Sequence, residues 1–168
     1  IAIMEGGRVV QVGSPEEILQ NPADDYVRAF FRGVDPTTVI SAGDIVKDSQ
    51  LTIIKTKLGG IRSAHELLSS KDRNHAYVLD SQRRYLGILS AENLQDAIDK
   101  NRTDQPIETC FIKTARGVNS GDCMQDILSE VASRTWPIPV VDDNNKYLGV
   151  VSKNRFLKTL HKSEQNDN

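Results

Sequence analysis

A chain of 168 residues builds one compact domain or two small ones, and 38% hydrophobic against 26% charged residues is the balance of an ordinary globular protein. A net charge of −2 gives no electrostatic case for a nucleic-acid partner, and no apolar run is long enough to cross a bilayer. Cys110 and Cys123 stand too far apart for a metal knuckle and have no histidine close in sequence, so they are expected to be thiols and not metal ligands.

Residues 1–33 read as a unit of their own. IAIM and RVVQVG predict two short strands, joined by a turn at Glu5, Gly6 and Gly7, where glycine supplies positive φ. Ser14, Pro15 and Glu17 then spell a capping box with proline at the first helical position, which starts a helix. Asn21–Pro22 interrupts it, Asp24 to Phe31 predicts a second helical segment, and Gly33 ends that one. The chain opens at Ile1 inside an apolar run, as if continuing a longer polypeptide.

Residues 34–52 show little periodicity and read as a connector. Two copies of one pattern follow, at 53–100 and 111–162, with 101–110 as linker and 163–168 as a polar tail. YLGILS at 85–90 returns as YLGVVS at 147–152, and Asp80 returns as Asp142. Each copy begins with an apolar strand, LTIIKT and then CFIKT, and passes through a glycine-containing loop. A helix follows, carrying Ala64, Leu67 and Leu68 in one copy and Met124, Ile127 and Leu128 in the other. Two strands joined by a polar turn come next (HAYVLD to YLGILS, PIPVVD to YLGVVS), and a second helix closes the copy. The inward faces of the closing helices are read as Leu94, Ala97 and Ile98, and as Phe156, Leu157 and Leu160. The fold class is α+β, with two β-α-β-β-α repeats packed as a pseudo-two-fold pair, since neither copy can bury its faces alone. Tyr77, Tyr85 and Tyr147 fall on strands as half-buried sheet residues. Gly59, Gly60 and Gly117 read as turn glycines.

The strand PVVD, the Tyr-Leu-Gly step and the Gly-apolar-apolar-Ser before a helix resemble the cystathionine-β-synthase (CBS) domain, and two in tandem resemble a Bateman module. IAIMEGGRVVQVGSPEEIL looks like the end of an ABC-transporter ATP-binding domain. NPADDYVRAFFRGVD is similar to the junction in the ATP-binding subunits of glycine betaine/L-proline importers, which carry a CBS pair at the C-terminus. The resemblance implies a regulatory module of an osmoprotectant importer that tunes transport to ionic strength or a nucleotide. An adenine-nucleotide sensor and a purely structural dimerisation module are the alternatives. It further implies a homodimer, a permease and an ATPase core as partners, and a cytoplasmic place against the anionic inner face of the plasma membrane. The chain contains no GxxxxGK[ST] loop, no LSGGQ-like signature and no acidic strand end for magnesium, so no ATPase activity is expected from it.

Ser90 and Ser152 each stand between a strand and a helix, as N-caps or as an anion site. In ligand-binding CBS pairs the pattern continues Ser/Thr-x-x-Asp, the Asp holding ribose hydroxyls. Asn93 and Arg155 replace it here: Asn can still accept from a diol, and Arg cannot. The candidate cleft for an adenine or cyclic dinucleotide is thus Ser90, Asn93, Ser152 and Arg155, with no cofactor certain. Trp136 is expected in core or interface packing, or as a base-stacking surface. The closing helices differ in sign. The first carries Glu92, Asp96 and Asp99 against Lys100, the second Lys153, Arg155, Lys158 and Lys162 with no acid over 153–162. Those four bases are the candidate electrostatic surface.

Overall fold

A computed structural model of the chain describes residues 1–164, with side chains through His161. Strands β1 (Ala2–Glu5) and β2 (Arg8–Val12) form an antiparallel hairpin turned at Gly6 and Gly7, both at positive φ. Helix α1 (Pro15–Gln20) starts at the capping box read in the sequence: Glu17 N donates to Ser14 Oγ at 3.2 Å, and Ser14 N to Glu17 Oε2 at 2.9 Å. Asp24 caps α2 (Asp25–Phe30). Ile3, Ile18 and Val27 close a small core between hairpin and helices.

The connector proves to be structured. Asp35 and Ser41 cap two one-turn helices, α3 (Pro36–Val39) and α4 (Ala42–Ile45). Ile40, Ala42 and Ile45 are fully buried, and they lie in the core of the second repeat, not the first. Four-residue helices are too short to show periodicity, which is why the segment looked featureless.

The first repeat runs β3 (Thr52–Ile54), α5 (Ile61–Ser70), β4 (His75–Leu79), β5 (Tyr85–Ser90) and α6 (Ala91–Asp99). The second runs β6 (Val118–Asn119), α7 (Met124–Ser133), β7 (Ile138–Val141), β8 (Tyr147–Val151) and α8 (Lys153–Glu164). Each sheet has three strands, the first parallel to the second and the second antiparallel to the third. Ile53 opposite Val78 is matched by Val118 opposite Val140. CFIKT is therefore not the opening strand of the second repeat. Ile107–Cys110 is a 3₁₀ turn, and the opening strand is the two-residue β6 inside what read as a loop. Its valine stands alone among the polar and glycine residues of 116–122, too little for an alternation signal.

Each repeat is strapped by the segment that precedes the other. Lys47 and Val150 exchange both backbone hydrogen bonds, at 3.0 and 2.9 Å, and Ile112 N donates to Ile88 O at 2.9 Å. The repeated Tyr-Leu-Gly marks these crossings. A Cβ on Gly87 would lie 2.4 Å from the Phe111 ring, and one on Gly149 would lie 2.6 Å from the Lys47 carbonyl. The preceding tyrosines join the two repeats: Tyr85 N donates to Asn145 O, and Tyr147 N to Arg83 O. Asp80 and Asp142 organise the equivalent turns, each Oδ1 accepting from the amides two and four residues on.

Tyr77, Tyr85 and Tyr147 are buried, not half-buried, because the sheets meet through them. The Tyr77 hydroxyl donates to Pro137 O at 2.6 Å across the seam, and its ring lies 5.8 Å from that of Tyr147. Leu157 departs from the inward face expected of it, at 62% exposed, while Phe156 is buried, and Leu128 on α7 is 48% exposed beside it. Both lie at the edge of the α7–α8 contact, where nothing among the described residues covers them.

Candidate functional site

The strap arrangement opens one cleft beside each closing helix. The first, of about 520 Å³, includes Ser90, Asn93, Arg102, Thr114 and Trp136 in its walls. Ser90 holds the N-cap position of α6, yet its hydroxyl makes no capping bond. It is still a strand residue, buried and paired with His75, which corrects the expected cap. Asn93 Nδ2 donates to Cys110 O at 3.2 Å, tying α6 to the crossing segment and leaving the amide oxygen for another donor. Asp96 is bonded by Lys100 at 2.6 Å and Arg102 at 2.5 Å. The Lys100 hydrogen bond holds its carboxyl below the usual range. Arg102 Nε is buried without a partner.

His75 stands 6.1 Å from Trp136, and burial lowers its pKa, so it favours the neutral imidazole. Arg134 lies 5.8 Å over the indole, a cation–π distance. Trp136 packs beside the tyrosine seam, as the packing expectation has it, and also lines the first cleft. Cys110 is buried, and desolvation pushes its thiol up.

The second cleft, of about 820 Å³, is lined by Lys47, Ser152, Asn154, Arg155, Leu157, Lys158 and His161, with no carboxylate among the described lining residues. Ser152 Oγ accepts from Arg155 N at 3.2 Å and caps α8. Arg155 Nη2 meets both oxygens of Glu16, at 2.9 and 3.1 Å. This joins α1 to α8 and occupies the guanidinium offered for the cleft.

The structure therefore brings Ser90 and Asn93 together in one cleft, and Ser152, Arg155 and Lys158 in the other. Lys153 is exposed on α8 and borders an apolar groove of about 200 Å³ between α7 and α8. The side chain of Lys162 and the tail from 165 lie outside the described residues. Sequence reasoning missed Glu16, Lys47, Arg102 and Lys113. Lys47 and Lys113 reach their clefts on the crossing segments, Arg102 follows α6 and meets Asp96 six residues back, and Glu16 lies 139 residues from its partner, so no local spacing announces it.

The two strapped α+β repeats have the fold of solved CBS-domain pairs, and residues 124–162 match the CBS domain model. Over its length the chain is similar to the C-terminal part of ATP-binding proteins of glycine betaine transport systems. It is 40% identical to the glycine betaine/proline betaine transport system ATP-binding protein ProV of Salmonella typhimurium, over 99% of this chain and 41% of that protein. It is 31% identical to OpuAA of Bacillus subtilis, over 95% of this chain and 37% of that one. The chain thus spans about two-fifths of these relatives. Staphylococcus aureus OpuCA superposes with a TM-score of 0.57 at 17% identity, over 71% of this chain and 97% of that one. CbpB in complex with c-di-AMP superposes with 0.58 at 16% identity, over 76% and 83%.

Proposed function

We infer that the chain is the regulatory CBS pair of an osmoprotectant importer's ATP-binding subunit, tuning transport to ionic strength from the inner face of the membrane. The observation that carries this reading is α8: its exposed Lys153 and Lys158 lie on the helix that Arg155 joins to the N-terminal unit. The relatives' names supply the transporter, and the helix supplies a charged surface in direct contact with the segment resembling an ATPase end. Each basic side chain near an anionic leaflet contributes about 1 kcal/mol at moderate salt. The screening length shrinks from roughly 10 Å at 0.1 M to 3 Å at 1 M, so rising internal salt weakens that attraction. The test is Lys153→Glu with Lys158→Glu in the full transporter, reading uptake into vesicles against internal salt. The activation threshold is expected to move to lower salt; a threshold that stays put refutes the reading. Arg155 is left intact because its loss would break the Glu16 pair.

A nucleotide in the first cleft is the second reading, favoured by its size, its Trp136 wall and the free acceptor on Asn93. A fold neighbour solved with c-di-AMP adds weight. Calorimetric titration with AMP, ATP and c-di-AMP tests it. Binding that Asn93→Asp strengthens and Asn93→Leu weakens supports this reading, and heats at the level of dilution for all three reject it.

A further inference from the structure

Arg155 answers a single carboxylate from within a cluster of positive charge. Both oxygens of Glu16 engage Nη2, in a pair whose side chains are 12% and 30% exposed. Lys47 and Lys158 line the same cleft, and no acid does among the described residues. The guanidinium carries five donors in a rigid fork, yet its buried Nε has no partner among the described residues. Glu16 thus neutralises one charge of several and leaves one edge of the fork unanswered. The pair also has a mechanical place, since it fastens α1 to α8 across the boundary between the N-terminal unit and the second repeat.

The geometry points to the second cleft as a site for a compact polyvalent oxyanion of the pyrophosphate class, which displaces Glu16 from Arg155 and loosens the N-terminal unit. Such an anion meets Arg155, Lys47 and Lys158 together, whereas Glu16 brings one charge to one nitrogen. Displaced Glu16 remains in the first turn of α1, where a carboxylate is favourable. Anion binding and release of α1 are thermodynamically reciprocal: whatever weakens the pair tightens the anion. The consequence for transport rests on the regulatory reading above, but the binding step does not.

The experiment titrates the 168-residue chain with sodium pyrophosphate, with sodium chloride adjusted to hold ionic strength constant. Calorimetry reads binding, and hydrogen exchange reads protection of α1. In the wild type, saturation is expected to lower α1 protection severalfold. Glu16→Gln, without the competing charge, is expected to bind pyrophosphate about fivefold more tightly, with α1 exchange already fast and unresponsive. Lys47→Gln weakens binding. The charge swap Glu16→Arg with Arg155→Glu retains the pair, and a protected α1 indifferent to pyrophosphate is expected from it. The proposal is overturned by no binding to the wild type, by bound pyrophosphate that leaves α1 protection unchanged, or by a swap that responds as the wild type does. Those failures leave the salt threshold of Lys153→Glu and Lys158→Glu untouched. An unmoved threshold beside an α1 released by pyrophosphate would remove only the transport reading.

Discussion

Gly149 passes beneath the Lys47 carbonyl so closely that a Cβ on it would lie 2.6 Å from that oxygen, with φ at 146°. The contact is backbone on backbone, and Lys47 is fixed there by two hydrogen bonds to Val150. Gly149→Ala therefore combines a disfavoured φ with an overlap that no rotamer relieves. A loss of about 3 kcal/mol is expected in urea unfolding. At Gly87 the obstacle is the Phe111 ring, which can swing, and φ there lies outside the left-handed region. Gly87→Ala is expected to cost less, about 1–2 kcal/mol. Equal losses at the two sites would contradict this account of the straps.

The tyrosine seam gives a contrast of sign. The Tyr77 hydroxyl donates to Pro137 O, so Tyr77→Phe leaves a carbonyl without its donor and is expected to cost about 1–2 kcal/mol. The Tyr147 hydroxyl is buried with no partner among the described residues, so Tyr147→Phe is expected to be neutral or stabilising. Burial raises the pKa of Tyr77, Tyr85 and Tyr147 above the usual value, so the folded chain holds protons that the unfolded chain releases. That stability is complete below the unfolded pKa of about 10 and falls as pH rises beyond it. Denaturation curves should shift to lower urea above that pH. Tyrosinate absorbance from these three should appear only with unfolding.

The repeat was legible because its signals are local: the capped α1, the matched Tyr-Leu-Gly steps and the aspartate turns each occupy a few neighbouring residues. The swap of straps was not, because Ile40, Ile45 and Ile107 are apolar residues in or beside single helical turns, and nothing in the sequence says which repeat they serve. The site divides the same way. Ser90 and Ser152 follow from position before a helix, Asn93 and Arg155 follow from the resemblance to the CBS pattern, and Lys47 and Glu16 arrive by tertiary contact. The sign of α8 was readable, but the Glu16 pair that engages one of its four bases was not.

Leu157 and Leu128 flank the apolar groove between α7 and α8, at 62% and 48% exposed. A two-fold dimer pairing this face with itself would cover both, and closed two-fold pairs are the commonest soluble oligomers. Leu128→Ser with Leu157→Ser is expected to shift the chain toward monomer at micromolar concentration in sedimentation velocity. Neither side chain supports the fold, so stability should change by less than about 0.5 kcal/mol. A wild-type chain already monomeric at that concentration would reject the dimer.

The N-terminal unit rests on a much smaller core than the repeats do. Ile3, Ile18 and Val27 are its buried members, while Ile1, Met4, Val12 and Phe30 are each more than half exposed. Burial of few side chains gives a low local opening free energy, since backbone ordering costs about 1–2 kcal/mol per residue whatever the core. The unit is nevertheless anchored through α1, where Glu16 meets Arg155 and Leu19 reaches the core of the second repeat. Amide exchange in β1, β2 and α2 is therefore expected to be faster than in β4, β5, β7 and β8, with α1 between. Glu16→Gln should bring α1 to the rate of the hairpin without changing the rates in either sheet. Exchange in the hairpin as slow as in the sheets would mean that its exposed apolar face is covered in solution.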